Sequence, residues 1–353
     1  MNLEGKQVVV TGGTGSLGKA LVRRLLSGEL GQPHCVAVFS RDEAKQHEMR
    51  RQYKNRRVCA DEIVSRNSRE MPEFIIGDVR DYHAVACAIR NADLIFNAAA
   101  LKQVPNCEYF PFEAVQTNIC GAENIIRAIR ENHLPAETAV VISTDKAAKP
   151  VNVMGMTKAI QERVWIAANL TCPKTRFICV RYGNVLASRG SVIPLFHEQI
   201  RAGGPLTVTT KEMTRFLLSM EEAVDTIFAA LREAKPGETY VPRLRSARMI
   251  DLARALVGDR PIEIEISGIR PGEKVHEIMI SEEERYRTVA RGKYYAIQPI
   301  LPELRGADDC PANLPGEYSS ATELMDYDEL CALLEAKHLR VEDTVTGEVE
   351  LVP

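Results

Sequence analysis

Gln7-Val8-Val9-Val10-Thr11-Gly12-Gly13-Thr14-Gly15-Ser16-Leu17-Gly18 is the stretch whose reading decides the fold. Its Val-rich run, Gln7 to Thr11, reads as a buried strand, the glycines at 12, 15 and 18 as a turn, and the apolar periodicity from Leu17 to Leu26 as a helix. That glycine spacing permits a tight turn, lets an anionic group approach bare backbone at a helix N-terminus, and allows close packing of helix on strand. In this strand–turn–helix setting the pattern points to dinucleotide binding by Gly12, Thr14, Gly15, Ser16, Leu17 and Gly18. The alternative is a glycine turn of purely structural purpose.

Working outward, strands are expected at Cys35 to Ser40, Glu73 to Gly77, Asp93 to Asn97, Ala139 to Ser143 and Arg176 to Arg181. Helices are expected between them at Glu43 to Tyr53, His83 to Arg90, Phe112 to Glu131 and Met156 to Asn169. Such alternation predicts an α/β fold, a Rossmann doubly wound parallel sheet, over residues 1–182. After Tyr182 the alternation weakens and Gly190, Gly203-Gly204-Pro205, Pro236-Gly237 and Pro271-Gly272 punctuate shorter elements. A smaller mixed α/β substrate-binding region is expected at 183–280, with helices Glu221 to Glu233 and Ile250 to Val257 and a strand Ile262 to Ile266. A C-terminal extension at 281–353 would hold one amphipathic helix, Tyr327 to Lys337, and later segments of the chain can still join the first region.

The 353 residues carry 45 Lys plus Arg against 48 Asp plus Glu, a formal charge of −3, with 45% hydrophobic and 26% charged residues. This is the composition of a globular protein, and it argues against a nucleic-acid binder that relies on a bulk positive field. The basic run Arg50, Arg51, Lys54, Arg56, Arg57 reads first as a solvated helix face or subunit contact. Nine scattered cysteines, none in a Cys-x-x-Cys pattern, suggest neither a disulfide framework nor a zinc site. No signal-like segment stands at the start and no run approaches the roughly 18 apolar residues of a membrane span, so a cytoplasmic location is expected.

Ligand-facing residues are expected at the carboxyl ends of the strands. After the second strand, Ser40-Arg41-Asp42 with Lys45 one turn on suits a ribose 2′-phosphate better than a 2′-hydroxyl, which favours NADP over NAD. Asp42 keeps the NAD reading open. Asp78 in Gly77-Asp78-Val79-Arg80 is placed to accept from an adenine amino group, and Ala98, Ala99 and Ala100 would let a cofactor lie against backbone. The fifth strand ends in Ser143-Thr144-Asp145-Lys146, an acid beside a lysine, and Lys158 follows on the next helix. Together they supply a proton donor and acceptor and a cation for the nicotinamide ribose.

These motifs, TGGTGSLG (11–18), GDVRD (77–81), NAAALKQVP (97–105), STDKAAKPVNVMGMTKA (143–159), RYGNVLASRGSVIP (181–194), EMTRF (212–216) and RPGEKVHE (270–277), occur in the order of one family. The chain resembles the extended short-chain dehydrogenases/reductases and, within them, the bacterial polysaccharide-biosynthesis UDP-N-acetylglucosamine 4,6-dehydratases that invert C5. One departure is plain. The superfamily's Tyr-x-x-x-Lys pattern has Met154 where the tyrosine would stand, and a thioether exchanges no proton. A subset of the inverting dehydratases looks like this.

The resemblance implies a UDP-sugar substrate and a recycled NADP, with Lys146 removing the C5 proton and Asp145 protonating the departing C6 hydroxyl. Thr144, or a water held by Thr144 or Lys158, would manage the C4 hydroxyl proton. Asp145 would need a raised pKa. Val79, Tyr182, Gly183 and Val185 join the cofactor set, and Lys102, Asn184, Met213, Thr214, Arg215, Arg270 and Glu273 the substrate set. Asn118 matches a helix-shaping asparagine of the superfamily. Homo-oligomers are implied, hexamers among them, with neither nucleic acid nor membrane as partner. Two other readings stand beside this one, a nucleotide-sugar 4-epimerase and a non-catalytic NADP-binding regulator.

Overall fold

The protein is described by a computed structural model over residues 2–58, 71–186, 191–305 and 314–344. The turn expected at Gly190, cysteines 59 and 310, and the tail beyond residue 344 lie outside the described residues. Six strands run parallel: β1 (Gln7–Thr11), β2 (Cys35–Ser40), β3 (Glu73–Ile76), β4 (Leu94–Asn97), β5 (Thr138–Ile142) and β6 (Arg176–Val180). They lie side by side in the order β3-β2-β1-β4-β5-β6, so the order of winding switches between β1 and β4, where a doubly wound sheet opens its ligand crevice. Each of these six expected strands is present, its ends within one residue of the sequence reading, and the strand expected at Ile262 to Ile266 is shorter, Ile264–Ile266.

Strand periodicity explains why β1 is apolar at consecutive positions. Val8 and Val10 face Leu21, Val22 and Leu25 of the helix Ser16–Leu26, together with Ile227 and Leu231 of the helix Met220–Glu233. Val9 faces the other way, into a core of Ile125, Ile129, Trp165 and Ile166 from the helices Gly121–Glu131 and Val153–Thr171. Both faces of the sheet are therefore covered, as parallel sheets require. A third core, with Ile193, Phe196, Leu252, Leu256, Leu330 and Leu334, gathers the helices Val192–Arg201, Met249–Val257 and Tyr327–Ala336.

Later segments do join the large sheet. Thr239–Pro242 pairs parallel with β6, and Tyr294–Ile297 and Thr288–Arg291 extend that edge antiparallel. The chain beyond residue 182 thus supplies three strands of the large sheet among the described residues.

The helix expected over Phe112 to Glu131 is broken. A short turn, Pro111–Ala114, leads into a π-helical stretch, Val115–Cys120, before Gly121–Glu131 resumes α-geometry. Asn118 supplies the reason. Its side chain accepts from the Leu101 amide at 2.9 Å and donates to the Leu101 carbonyl at 3.1 Å and to Thr157 Oγ1 at 2.9 Å, while its carbonyl accepts from Gln161 Nε2 at 2.6 Å. A widened turn frees that carbonyl, a device common at functional sites. The basic helix, Glu43–Val58, packs in part, for the Arg50 guanidinium lies 4.8 Å over the Phe74 ring.

Candidate active site

A cleft of about 780 Å³ runs along the carboxyl ends of the parallel strands. At one end, Gly12 has φ +68° and a Cβ there would lie 2.7 Å from the Ala99 amide nitrogen. A Cβ on Gly18 would come within 2.5 Å of the Gly12 carbonyl oxygen, so loop, β4 end and helix are in direct backbone contact. Gly15 caps the Ser16–Leu26 helix without a side-chain hydrogen bond, and no acid stands in its first turn. The positive end of this helix thus carries no carboxylate of its own first turn, which fits a pyrophosphate there.

Gly18→Ala is expected to push the helix off the loop. Dinucleotide affinity should fall on the order of 10–100-fold, about 1.4–2.8 kcal/mol. Fluorescence titration checks this, and unchanged affinity would contradict the cradle.

At the β2 end, Ser40 is buried and accepts twice from Gln46 Nε2, through its carbonyl at 3.0 Å and its hydroxyl at 3.2 Å. Lys45 Nζ sits 2.6 Å from Asp42 Oδ2, and that hydrogen bond holds the Asp42 carboxyl below the usual carboxylate range. Asp42 is thus committed to a lysine, whereas Arg41 extends into solvent with its guanidinium 3.6 Å from Asp78. Burial would push the Asp78 carboxyl up, but Arg80 binds it at 2.7 Å and holds it ionised.

The cleft's centre is built by the turn after β5. Thr144 caps a short 3₁₀ turn, Asp145–Ala147, which fixes Asp145 and Lys146 at the strand end. Asp145 is fully buried, and its amide donates to the Tyr182 carbonyl at 3.0 Å. Asp145 Oδ1 accepts from Thr144 Oγ1 at 2.9 Å and Lys146 Nζ at 3.0 Å, whereas Oδ2 has no hydrogen-bond partner among the described residues. Burial raises the Asp145 pKa, the direction a proton donor needs. Lys146 Nζ also contacts Glu277 Oε1 at 3.1 Å, and the two carboxylates outweigh burial to raise its pKa.

Lys158 lies deeper, donating to the Ile142 carbonyl and to Gln161 Oε1, each at 2.8 Å. Burial lowers its pKa to about 8, so it exchanges a proton close to neutrality. Met154 lines the cleft and packs with Cys107, Ala114 and Leu101, an apolar setting with no proton to give. Tyr182 also lines the cleft, and burial pushes its phenol upward, which keeps it protonated.

All of the cofactor residues expected from sequence border this one cleft, as do Thr144, Asp145, Lys146, Lys158, Lys102, Asn184, Arg215, Arg270 and Glu273. Met213 and Thr214 do not. Met213 is buried in the third core, and the Thr214 hydroxyl is held by His276 Nδ1 at 2.8 Å and Ser320 Oγ at 2.7 Å. Successive residues of the strand Thr214–Leu218 face opposite sides, which parts Thr214 from Arg215, and Met213, just before the strand, packs into the third core, so of these three only Arg215 reaches the cleft. Asn184 Oδ1 is buried without a hydrogen-bond partner among the described residues, an acceptor that a ligand can satisfy. Glu277 was not singled out by sequence reasoning. It lies in the same RPGEKVHE stretch as Glu273, and no spacing marks it as buried.

The model of the polysaccharide biosynthesis protein family matches residues 8–299. The chain belongs to that family. Relatives with which the chain aligns include a Rickettsia conorii protein named UDP-glucose 4-epimerase, 42% identical over 297 residues that cover 83% of this chain and 82% of the relative. A Methanocaldococcus jannaschii protein named as an uncharacterized membrane protein is 42% identical over 305 residues, 83% of this chain and 86% of its own. Among the described residues of the present chain no helix is long and apolar enough to cross a membrane. Among solved structures, Pen from Bacillus thuringiensis superposes with a TM-score of 0.85 at 32% identity, covering 96% of this chain and 100% of that one. The dTDP-glucose 4,6-dehydratase DesIV from Streptomyces venezuelae, solved with NAD bound, shares the fold with a TM-score of 0.63 at 21% identity over 76% of this chain and 86% of its own.

Proposed function

We propose that the chain is an NADP-dependent UDP-N-acetylglucosamine 4,6-dehydratase that inverts C5, giving a 6-deoxy-4-keto UDP-sugar. The observation that carries this reading is the Asp145–Lys146 pair in the cleft, its aspartate fully buried, with Met154 in the place of a phenol. An epimerase returns hydride to the carbon it left and has no use for a second acid–base pair, whereas water elimination requires one. The R. conorii relative's name favours a 4-epimerase. Against it stands the missing tyrosine, the group that would relay the C4 hydroxyl proton.

When bound, the dinucleotide supplies reversible hydride acceptance between C4 and C6 of the sugar. Arg41 and Ser40 would hold its 2′-phosphate, and the 12–18 loop its pyrophosphate. Lys102, Arg215 and Arg270 give the nucleotide-sugar diphosphate cationic partners, with guanidinium forks suited to phosphate oxygens. Oxidation at C4 makes the C5 proton acidic, so Lys146 as the free amine takes it while Asp145 as the acid protonates the C6 hydroxyl, which leaves as water. Reprotonation at C5 from the opposite face gives the inverted centre. Thr144 donates to Asp145, and Lys158, with its pKa near 8, is the second group for the C4 hydroxyl proton. Full turnover by Thr144→Val would remove the threonine from that role.

The test is incubation with UDP-N-acetylglucosamine in D2O without added cofactor, followed by mass spectrometry and NMR. Loss of one water with deuterium at an inverted C5 is the expected result. Isomerisation without water loss would replace this reading with the epimerase. No change with any nucleotide sugar, even with NADP+ supplied, would leave a binding protein.

A further inference from the structure

Beside the Asp145–Lys146 pair stands a third ionisable group that the reaction as written leaves unused. Glu277 precedes the strand Ile278–Ile280 and is only 2% exposed, yet it borders the cleft. Its backbone is tied on both sides to one residue: its amide donates to Ser320 Oγ at 2.9 Å, and its carbonyl accepts from the Ser320 amide at 2.8 Å. The carboxylate is thereby fixed, with Oε1 3.1 Å from Lys146 Nζ and 3.8 Å from Arg215 Nε. Its other oxygen, Oε2, is buried and has no hydrogen-bond partner among the described residues. Lys146 Nζ thus bridges two carboxylates at nearly equal distances, 3.0 Å to Asp145 and 3.1 Å to Glu277. Even a paired buried carboxylate seldom adds more stability than apolar residues of the same volume, so a glutamate in this position calls for a reason beyond stability.

We propose that Glu277 is a positioning residue for the Asp145–Lys146 pair: its carboxylate is the second anchor of the Lys146 ammonium and keeps a proton on the pair near neutral pH. This inference rests on the dehydratase reading for its chemical meaning. Acid–base elimination needs Asp145 protonated and Lys146 neutral, a state reached when the Lys146 ammonium passes one proton to the Asp145 carboxylate, with none entering or leaving. The amine then takes the C5 proton, Asp145 gives its own to the departing hydroxyl, and the pair returns to ammonium and carboxylate. A pair that had lost its shared proton to solvent could supply no acid.

The groups facing Glu277 are Asp145 and Lys146 from the turn after β5, Arg215 from the strand Thr214–Leu218, and Lys274 from its own segment. Burial would push the Glu277 carboxyl up, but Lys146, Arg215 and Lys274 outweigh it and keep Glu277 ionised. That fixed negative charge raises Asp145 and Lys146 together, so it retains the proton without choosing which of the two carries it.

Glu277→Gln keeps the shape and an oxygen for Lys146 but removes the charge, and Glu277→Asp keeps the charge. Two readouts are taken on the full chain: the pH profile of UDP-N-acetylglucosamine turnover, and the pH profile of Lys146 acetylation by acetic anhydride, resolved by peptide mass spectrometry with exposed Lys174 as internal reference. In Glu277→Gln both limbs of the turnover profile and the Lys146 labelling midpoint should move to lower pH, by about 1–3 units. Glu277→Asp should move them back toward wild type. Unmoved profiles in a folded Glu277→Gln protein overturn the inference and leave the dehydratase reading intact. A shifted labelling midpoint without turnover in the wild type upholds the inference and sinks that reading. Should Glu277→Gln fail to fold, the wild type decides: a Lys146 midpoint above that of Lys174 supports the anchor, and one at or below it refutes it.

Discussion

Asp145→Asn is expected to slow water loss from the sugar by about 10²–10⁴-fold, the contribution of one positioned acid. The amide keeps the acceptor that Thr144 and Lys146 contact, so geometry is conserved while the transferable proton is lost. Lys146 can then shed its own proton only to solvent, so C5 exchange should survive and grow as pH rises, and substrate recovered from D2O at alkaline pH should carry deuterium at C5 although no water has left. Lys146→Met should abolish both signals. The contrast separates acid from base, and turnover by Asp145→Asn within tenfold of wild type would withdraw the acid assignment. Asp145 has its pKa raised by burial, so the wild-type rate should also fall as pH climbs past that raised value and the acid is lost.

The largest expected effect on stability lies one strand over. Arg181 follows β6 and is 2% exposed, with Glu162 Oε2 at 2.5 Å and Glu284 Oε2 at 2.8 Å. Glu162 belongs to the helix that carries Lys158, and Glu284 to the chain beyond 280, so one guanidinium joins three parts of the molecule. Arg181→Met should cost about 3–5 kcal/mol near pH 7, because it strands two buried carboxylates. Burial alone would raise the Glu284 pKa, but Arg181 brings it to about 2 from an ordinary 4.5. A lowered carboxylate stabilises the folded state above 4.5 and loses that contribution as pH falls toward 2. Without Arg181 the stranded carboxyls gain from protonation instead. The gap between variant and wild type in urea denaturation should then narrow on acidification below about pH 5. A gap independent of pH would show that packing, not charge, sets the cost.

Much of the fold and the cleft is legible in the sequence alone. β1 and β2 begin and end where the apolar runs do, because strands buried on both faces leave continuous apolar sequence. The Gly12–Gly18 loop was legible because only glycine tolerates the backbone approaches found there. The broken helix at 115–120 was not, since its cause is a set of tertiary hydrogen bonds from Asn118 to residues 101, 157 and 161. Met213, Thr214 and Arg215 form one block in the sequence, but burial of Met213 in the third core and the His276 and Ser320 partners of Thr214 leave only Arg215 to the cleft. Glu277 escaped notice because its burial against Lys146 depends on two segments far apart in sequence.

The order of the strands also bears on how the protein is made. β6 leaves the ribosome with Phe177, Ile178, Cys179 and Val180 ready for burial, but its outer edge is closed only when Thr239–Pro242 arrives, and Tyr294–Ile297 follows later still. An unpaired apolar edge is a template for association with other chains. A nascent chain paused after residue 182 would therefore be a target for chaperones and aggregation, and a fragment cut there would be no free-standing module. Arg270, Glu273 and Glu277 emerge in the same late interval, so translation finishes the cleft and seals the sheet together.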